Sequence, residues 1–139
     1  MMYKRILVAT DGSKFSKAAV DEAIKIAKAS KCALTIVSVV DITEEFETEA
    51  PELTERFERQ FKAMVERIKK QAKAKGIKAE GIVRTGEPYD VIVSAAKAKK
   101  ADLIVMGSHG RRGLSRLLMG SVTERVIGHA KCAVLVVKG

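Results

Sequence analysis

Four short apolar runs, almost unbroken and rich in Val, Ile and Leu, constrain the fold of this chain more than any other feature. They cover residues 6–9, 34–40, 103–106 and 133–137. A strand with one solvated face alternates apolar and polar residues, whereas a strand covered by helices on both faces is apolar throughout. The runs therefore predict strands of a parallel sheet, and the more mixed segment 77–85 predicts an edge strand.

Amphipathic patterns fill the gaps and predict helices over residues 16–30, 53–75, 88–99 and 121–130. Pro88 suits a first helical turn, and Ser121 and Glu124 have the spacing of a capping box. The order β-α-β-α-β-α-β-α-β predicts an α/β fold: a single doubly wound five-stranded parallel sheet, strand order 3-2-1-4-5, with helices on both faces. Residues 41–52 are expected to form its one long loop, and residues 1–139 one domain.

The longest apolar runs are far shorter than the roughly 20 residues of a membrane helix, and the first run ends at Asp11 without a cleavage site for a signal peptide. Two cysteines are too few for a disulfide scaffold. In the expected strand order, Cys32 and Cys132 lie three strand spacings apart, roughly 14 Å. Because a disulfide needs Cα atoms within about 7 Å, no intrachain bridge is expected. These features favour a cytoplasmic protein.

The net charge is +9, yet residues 41–52 hold six acids and no base. A basic body favours anionic partners, although Lys and Glu also keep small or heat-adapted proteins soluble. Aromatic residues make up only 4% and Trp is missing, which argues against base stacking and makes nucleic acid an unfavoured partner. The acidic segment would repel an anionic ligand, so we expect it to act in regulation or subunit contact.

Two loops carry candidate binding residues: residues 10–13 after the first strand and residues 107–121 after the fourth. In an open α/β sheet, ligands bind where the winding reverses, and in the expected order that point lies between these strands. Glycines let backbone amides approach a phosphate, Ser108, Ser121 and Thr123 add hydroxyls, and Arg111 and Arg112 add charge. The alternative is that the glycines only shape turns and Ser121 only caps its helix. Neither a dinucleotide-binding GxGxxG nor a Walker A motif is present.

A family resemblance adds to this interpretation. The chain closely resembles the ATP-binding branch of the universal stress protein family through KRILVATDGSKFSKAAVDEAIKIA, VSVVDI and VRTGEPYDVIVSAAKAKKADLIVMGSHGRRGLSRLLMGSVTERVIGHAKCAVLVVK. The resemblance covers essentially the whole chain. The family's ATP signature, G-x2-G-x9-G-[ST], is met without a spacing change by Gly107, Gly110, Gly120 and Ser121.

The resemblance implies roles for particular residues. Asp11 would contact the ribose or the metal-bound phosphates, and the backbone around Ala9 and Thr10, with Val39, would line the adenine pocket. The ribose and phosphates would be held by main-chain groups of Gly107, Gly110, Gly120, Ser121 and Val122. Met106 and Ser108 would be their neighbours. The chain has Ala9 where some relatives have Pro, a change not expected to disturb a backbone contact.

The same resemblance implies an ATP-binding regulatory or stress-response protein that would take ATP with Mg or Mn and form homodimers through the edge strand between Val134 and Val137. No catalytic residue is assigned, because no positioned base, Walker lysine or set of acidic metal ligands is recognisable. We therefore expect at most slow ATP hydrolysis. His109 is interpreted as a loop or subunit-contact residue. The alternative function is a basic module that binds nucleic acid or acidic proteins without a nucleotide.

Overall fold

The computed structural model describes residues 3–109 and 119–138. Within these ranges, no helix is long and apolar enough to cross a membrane. The helices and strands follow one another along the chain as β1 (Arg5–Ala9), α1 (Lys14–Ser30), β2 (Ala33–Val40), α2 (Glu44–Glu49), α3 (Pro51–Ala74), β3 (Ala79–Thr85), α4 (Pro88–Ala98), β4 (Leu103–Gly107), α5 (Ser121–His129) and β5 (Ala133–Val137).

The five strands form one parallel sheet in the order β3-β2-β1-β4-β5, which confirms the predicted topology. Helices α1 and α3 pack on one face, while α4 and α5 pack on the other. The winding reverses between β1 and β4, which are directly paired through Ile6 and Leu103. The carboxyl ends of these two strands therefore lie side by side.

Both faces of the central strands are buried, which explains the unbroken apolar runs. Along β1, Ile6 and Val8 join the core beneath α1 and α3, whereas Leu7 and Ala9 join the core beneath α4 and α5. Strand β5 pairs with β4 at the end of the strand order, and its residues from Val134 to Val137 stay partly exposed. An apolar strand at the edge of a sheet leaves backbone groups available for pairing with another chain.

The prediction of one long loop over residues 41–52 is wrong. The segment contains the short helix α2, and α3 already begins at Pro51. Thr43 starts α2 because its side chain accepts a hydrogen bond from the backbone N–H of Phe46 at 3.0 Å. The glutamates of the first turn then face the positive end of the helix dipole, where a negative charge is stabilising.

The predicted capping box at the start of α5 is also wrong. The N-cap residue is Gly120, which has no side chain to cap the helix, and Ser121 is the first helical residue. Helix α1 begins two residues earlier than its periodicity suggested, because the Ser13 side chain accepts a hydrogen bond from the Ser16 N–H and caps it. Strand β3 begins at Ala79 rather than at residue 77.

Both cysteines are free thiols, as predicted. The Cys32 thiol is buried and donates a hydrogen bond to the carbonyl of Tyr3. Burial, together with the nearby Asp102 carboxylate, raises the pKa of the Cys32 thiol, and burial also raises the pKa of the Cys132 thiol. A raised pKa keeps a thiol protonated and poorly nucleophilic near neutral pH.

The contact between α3 and β3 generates the first prediction. A Cβ built on Gly81 would clash with Cγ1 of Val65, so this glycine sets how closely the helix packs on the strand. We expect Gly81→Ala to lower the free energy of unfolding by about 1–3 kcal/mol, the usual range for overpacking. Adding Val65→Ala should recover part of that loss, measured by urea unfolding as a double-mutant cycle. Strictly additive losses would contradict the proposed steric cause.

Candidate functional site

The two candidate loops meet at the carboxyl edge of the sheet. The amide of Ser108 donates to the carbonyl of Val137 at 3.1 Å, so the chain leaving β4 continues along β5. The amide of Gly120 then donates to the carbonyl of Ser108 at 2.7 Å. This bond brings the start of α5 back against the end of β4, next to the loop that follows β1.

Thr10 is a buried anchor for the loop after β1. Its amide donates to the carbonyl of Val37 at 2.9 Å, and its carbonyl accepts a hydrogen bond from Ser38 Oγ at 2.6 Å. Its hydroxyl lies 2.8 Å from Ser16 Oγ and accepts a hydrogen bond from the Gly12 amide. These contacts fix the backbone to β2 on one side and to α1 on the other. The sequence analysis missed both serines, because Ser38 lies 28 residues from Thr10 and Ser16 belongs to the periodic pattern of α1.

Asp11 forms the turn that leads into α1. Its Oδ1 accepts a hydrogen bond from the Ser13 amide at 2.9 Å, an Asx turn, and Gly12 follows in the left-handed conformation at φ 83°. The side chain is half-buried at the edge of the sheet. A carboxylate accepts hydrogen bonds through both oxygens and can coordinate a cation, the chemistry that the resemblance assigns to this position.

Gly107 is required by packing at the point where the winding reverses. A Cβ at this position would lie 2.7 Å from the carbonyl oxygen of Phe15 and 2.9 Å from its carbon, in the first turn of α1. The carbonyl of Gly107 accepts a hydrogen bond from the buried hydroxyl of Thr123 at 2.9 Å. The Thr123 hydroxyl therefore holds α5 against β4, and the expectation that it serves as a phosphate donor is not supported.

The remaining signature residues lie around the start of α5. Ser108 is buried and its hydroxyl lies 3.0 Å from Nδ1 of His109, whose ring stacks at an angle on Phe15. Ser121 is exposed in the first turn of α5, and Val122 packs partly against the core beneath α4 and α5. Gly110, Arg111 and Arg112 lie outside the described residues.

Ala9, Val39 and Met106 form an apolar floor at this edge. All three belong to the core beneath α4 and α5 and are 8%, 9% and 5% exposed. Arg84 is paired in register with Val39 and is exposed. It is a cation beside the predicted adenine pocket that the sequence analysis missed, although the alternation along β3 could have placed it on this face.

Among residues 3–109 and 119–138, no group of three or more His, Cys, Asp or Glu side chains could hold a metal ion. Asp11 contributes one carboxylate to the loop that follows β1. Mg²⁺ is commonly held by one or two carboxylates together with substrate phosphates and water. The residues thus fit a cation that arrives with a nucleotide better than a metal held by the protein alone.

Comparison with known proteins identifies the family. The model of the universal stress protein family matches residues 2–138. The chain belongs to the universal stress protein family. Among its relatives, the universal stress protein MJ0531 of Methanocaldococcus jannaschii is 40% identical over 141 residues, which cover 99% of this chain and 83% of the relative. YxiE of Bacillus subtilis is 34% identical over 151 residues, which cover 99% of this chain and all of the relative.

Solved structures of universal stress proteins share the whole fold. UspA from Lactobacillus plantarum superposes with a TM-score of 0.89 at 29% identity, covering 99% of both chains. The protein MJ0577 superposes with a TM-score of 0.80 at 34% identity, covering 100% of this chain and 98% of that one. A universal stress protein in complex with cAMP superposes with a TM-score of 0.77 at 33% identity, covering 99% and 98% of the two chains.

The packing at Gly107 generates the second prediction for this universal stress protein. Gly107→Ala should lower the free energy of unfolding by about 1–3 kcal/mol, since the added methyl group meets rigid backbone. The matched control is Gly128→Ala in α5, where a Cβ would meet nothing within 4 Å. That change should leave stability unchanged or raise it by up to about 1 kcal/mol, as alanine favours helix. Equal destabilisation of both variants in thermal unfolding would contradict the packing role of Gly107.

Proposed function

We propose that this universal stress protein binds ATP, together with Mg or Mn, at the carboxyl ends of β1 and β4 and acts as a regulatory stress-response module. The observation that carries the proposal is the hydrogen bond between the Gly120 amide and the Ser108 carbonyl. It joins the two ends of the glycine signature at the carboxyl edge, where open α/β sheets bind ligands.

The backbone at the start of α5 supports phosphate binding. The N-cap residue Gly120 supplies no side-chain hydrogen bond, so side-chain capping does not compete with an anion for the first amides of the helix. The exposed Ser121 hydroxyl sits in the same turn. The proposed binding residues are Ala9, Thr10, Asp11, Val39, Met106, Gly107, Ser108, Gly110, Gly120, Ser121 and Val122.

The structural relative in complex with cAMP supports an adenine nucleotide as the ligand class. The apolar floor of Ala9, Val39 and Met106 suits the face of a purine, and the glycine signature suits its phosphates. The residues support binding rather than turnover, because a binding constellation without a positioned base does not by itself perform phosphoryl transfer. ATP hydrolysis, where it occurs, would be slow.

The proposal extends to assembly and location. The whole chain acts as one cytoplasmic domain and forms homodimers through β5, whose exposed edge between Val134 and Val137 is apolar. Pairing of this edge with a second copy would cover backbone groups that are otherwise exposed to unwanted strand pairing. Sedimentation of the purified protein as a monomer at micromolar concentration would contradict this part of the proposal.

Nucleotide binding can be tested directly on the purified protein. Freshly purified protein is denatured and the released small molecules are separated by chromatography, with ATP as the expected nucleotide. Added ATP with Mg²⁺ should stabilise the fold by about 2.7 kcal/mol at a concentration one hundred times its Kd. GTP serves as the control ligand. No released adenine nucleotide and no ATP-dependent rise in Tm would overturn the proposal.

Two variants at Asp11 separate its turn from its ligand role. Asp11→Asn keeps an oxygen that can accept the Ser13 N–H, so its Tm without ligand should stay within about 1 °C of wild type, whereas Asp11→Ala loses the turn. If Asp11 holds the metal-bound phosphates, both variants lose the part of the ATP stabilisation that depends on Mg²⁺. If Asp11 contacts the ribose, Asp11→Asn keeps most of the ATP stabilisation. Full ATP stabilisation in both variants would exclude a ligand role for Asp11.

A further inference from the structure

One exposed lysine comes shortly before each of the five strands, at the amino edge of the sheet opposite the proposed nucleotide site. In a parallel sheet all strands start at the same edge, so these lysines are brought together by the topology. We name them the lysine row. In the order of the strands across the sheet, the row consists of Lys78, Lys31, Lys4, Lys100 and Lys131.

Backbone hydrogen bonds tie this edge together. The carbonyl of Lys78 accepts a hydrogen bond from the Leu34 amide at 2.9 Å, and the carbonyl of Lys4 accepts one from the Ala33 amide at 3.1 Å. Neighbouring strands lie about 4.8 Å apart, so five strand starts span roughly 19 Å. The lysine row therefore places positive charge across the whole width of the sheet, with the acids Glu80 and Asp102 at the same edge.

Further cations widen this band on both faces. A surface cavity of about 460 Å³ between the ends of α1 and α3 is lined by Lys25, Lys28 and Lys75, with Asp21 as its acid. A second cavity of about 260 Å³ is lined by Arg5, Lys99 and Lys100, with Glu80 as its acid. Both cavities lie at the amino edge, where α1, α3 and α4 end.

The acids at this edge already have partners. Glu80 forms an ion pair with Lys99 at 3.1 Å and accepts a hydrogen bond from Thr35. Asp102 accepts hydrogen bonds from the backbone amides of Lys4 and Arg5 at 2.9 and 3.1 Å. Across residues 3–109 and 119–138, the ion pairs include none of the five lysines of the row.

Stabilisation of helix ends explains only part of the row, because Lys31 is the C-cap residue of α1. Cations in the last turn of a helix offset its dipole, and Lys28, Lys73 and Lys97 occupy those positions. Lys31 and Lys100 instead have φ of 56° and 55°, the left-handed conformation that favours glycine. After α3 the chain does place a glycine, Gly76, in this conformation. Lysine at the other two positions lowers stability relative to glycine, so backbone conformation does not account for these two lysines.

We propose that the amino edge of the sheet binds the sugar-phosphate backbone of a nucleic-acid duplex, independently of nucleotide binding at the opposite edge. A duplex carries one charge per roughly 1.7 Å of axis, so about 11 phosphate charges lie along the 19 Å of the row. A band of lysines suits this density, because ammonium groups act as point charges and need no fixed phosphate geometry.

The amino edge of the sheet is not suited to recognising base sequence. Within two positions of the lysine row, Tyr3 is packed against the core beneath α1 and α3, and the His129 ring lies against the ring of Tyr89. The shortage of aromatic residues that made nucleic acid unfavoured as a partner applies to base stacking and not to phosphate contacts. The binding is therefore expected to be independent of sequence and strongly dependent on salt.

The test uses fluorescence anisotropy with a labelled 25-base-pair duplex of mixed sequence at several NaCl concentrations. If the five lysines each neutralise one phosphate, the plot of log K against log salt has a slope of about −4 to −5. The double variant, Lys31→Gly with Lys100→Gly, should have a slope that is shallower by about 2. Its affinity for the duplex at 0.1 M salt should be roughly tenfold or more weaker. Tm should rise at the same time, since glycine relieves both left-handed positions.

The matched control removes the same charge elsewhere. Arg56 and Lys62 are exposed on α3 and lie well before its end, and their change to Gln should leave the slope within about 0.5 of wild type. If the glycine variant lowers Tm, Lys4→Gln with Lys78→Gln provides a second pair with the same expected loss of slope. ATP-dependent stabilisation should persist in every variant, which separates this proposal from the nucleotide site.

Three results would overturn the proposal. The first is the lack of duplex binding at 50 mM salt. The second is an equal loss of slope in the control variant, which would assign the binding to net charge alone. The third is that polyglutamate competes as strongly as unlabelled duplex at equal charge, which would assign the surface to acidic proteins instead.

Discussion

The first turn of α1 lies against the last residue of β4, and this contact determines the geometry of the whole carboxyl edge. Only a glycine at position 107 leaves room for the carbonyl of Phe15. The same glycine accepts the Thr123 hydroxyl, so α5 is held to the point that α1 already contacts. Thr10 and Ser16 complete the link between α1 and β1. The signature glycine is thus needed for packing before any ligand is considered.

The parallel sheet gives the molecule two chemically different edges. Helices that return between parallel strands run opposite to them, so their positive ends lie at the carboxyl edge and their negative ends at the amino edge. The glutamates of α2 lie in the first turn of their helix, and the proposed phosphate site lies at the start of α5, so both place negative charge at a positive helix end. Lysines at the ends of α1, α3 and α4 offset the negative ends, and the lysine row adds charge beyond that need.

The topology was predictable because burial on both faces leaves a sequence signal at every residue of a central strand. Helix α2 was missed because it buries no residue and therefore has no amphipathic pattern. It forms because Thr43 caps it and glutamates occupy its first turn. The N-cap of α5 was predicted one residue too late. Ser121 and Glu124 have the spacing of a capping box, but the backbone makes Gly120 the N-cap residue. The packing role of Gly107 depends on a residue 92 positions away, Phe15, which no local pattern contains.

The two edges should act almost independently despite sharing β1. This strand has Lys4 before its first residue and Thr10 after its last, and its five residues span about 17 Å. At physiological ionic strength the Debye length is about 8 Å, so exposed charges at this separation are largely screened. Coupling between a nucleotide and a polyanion would then need a change in conformation, and it would have to be equal in both directions. The central strands that join the two edges are buried on both faces, which makes such a change costly.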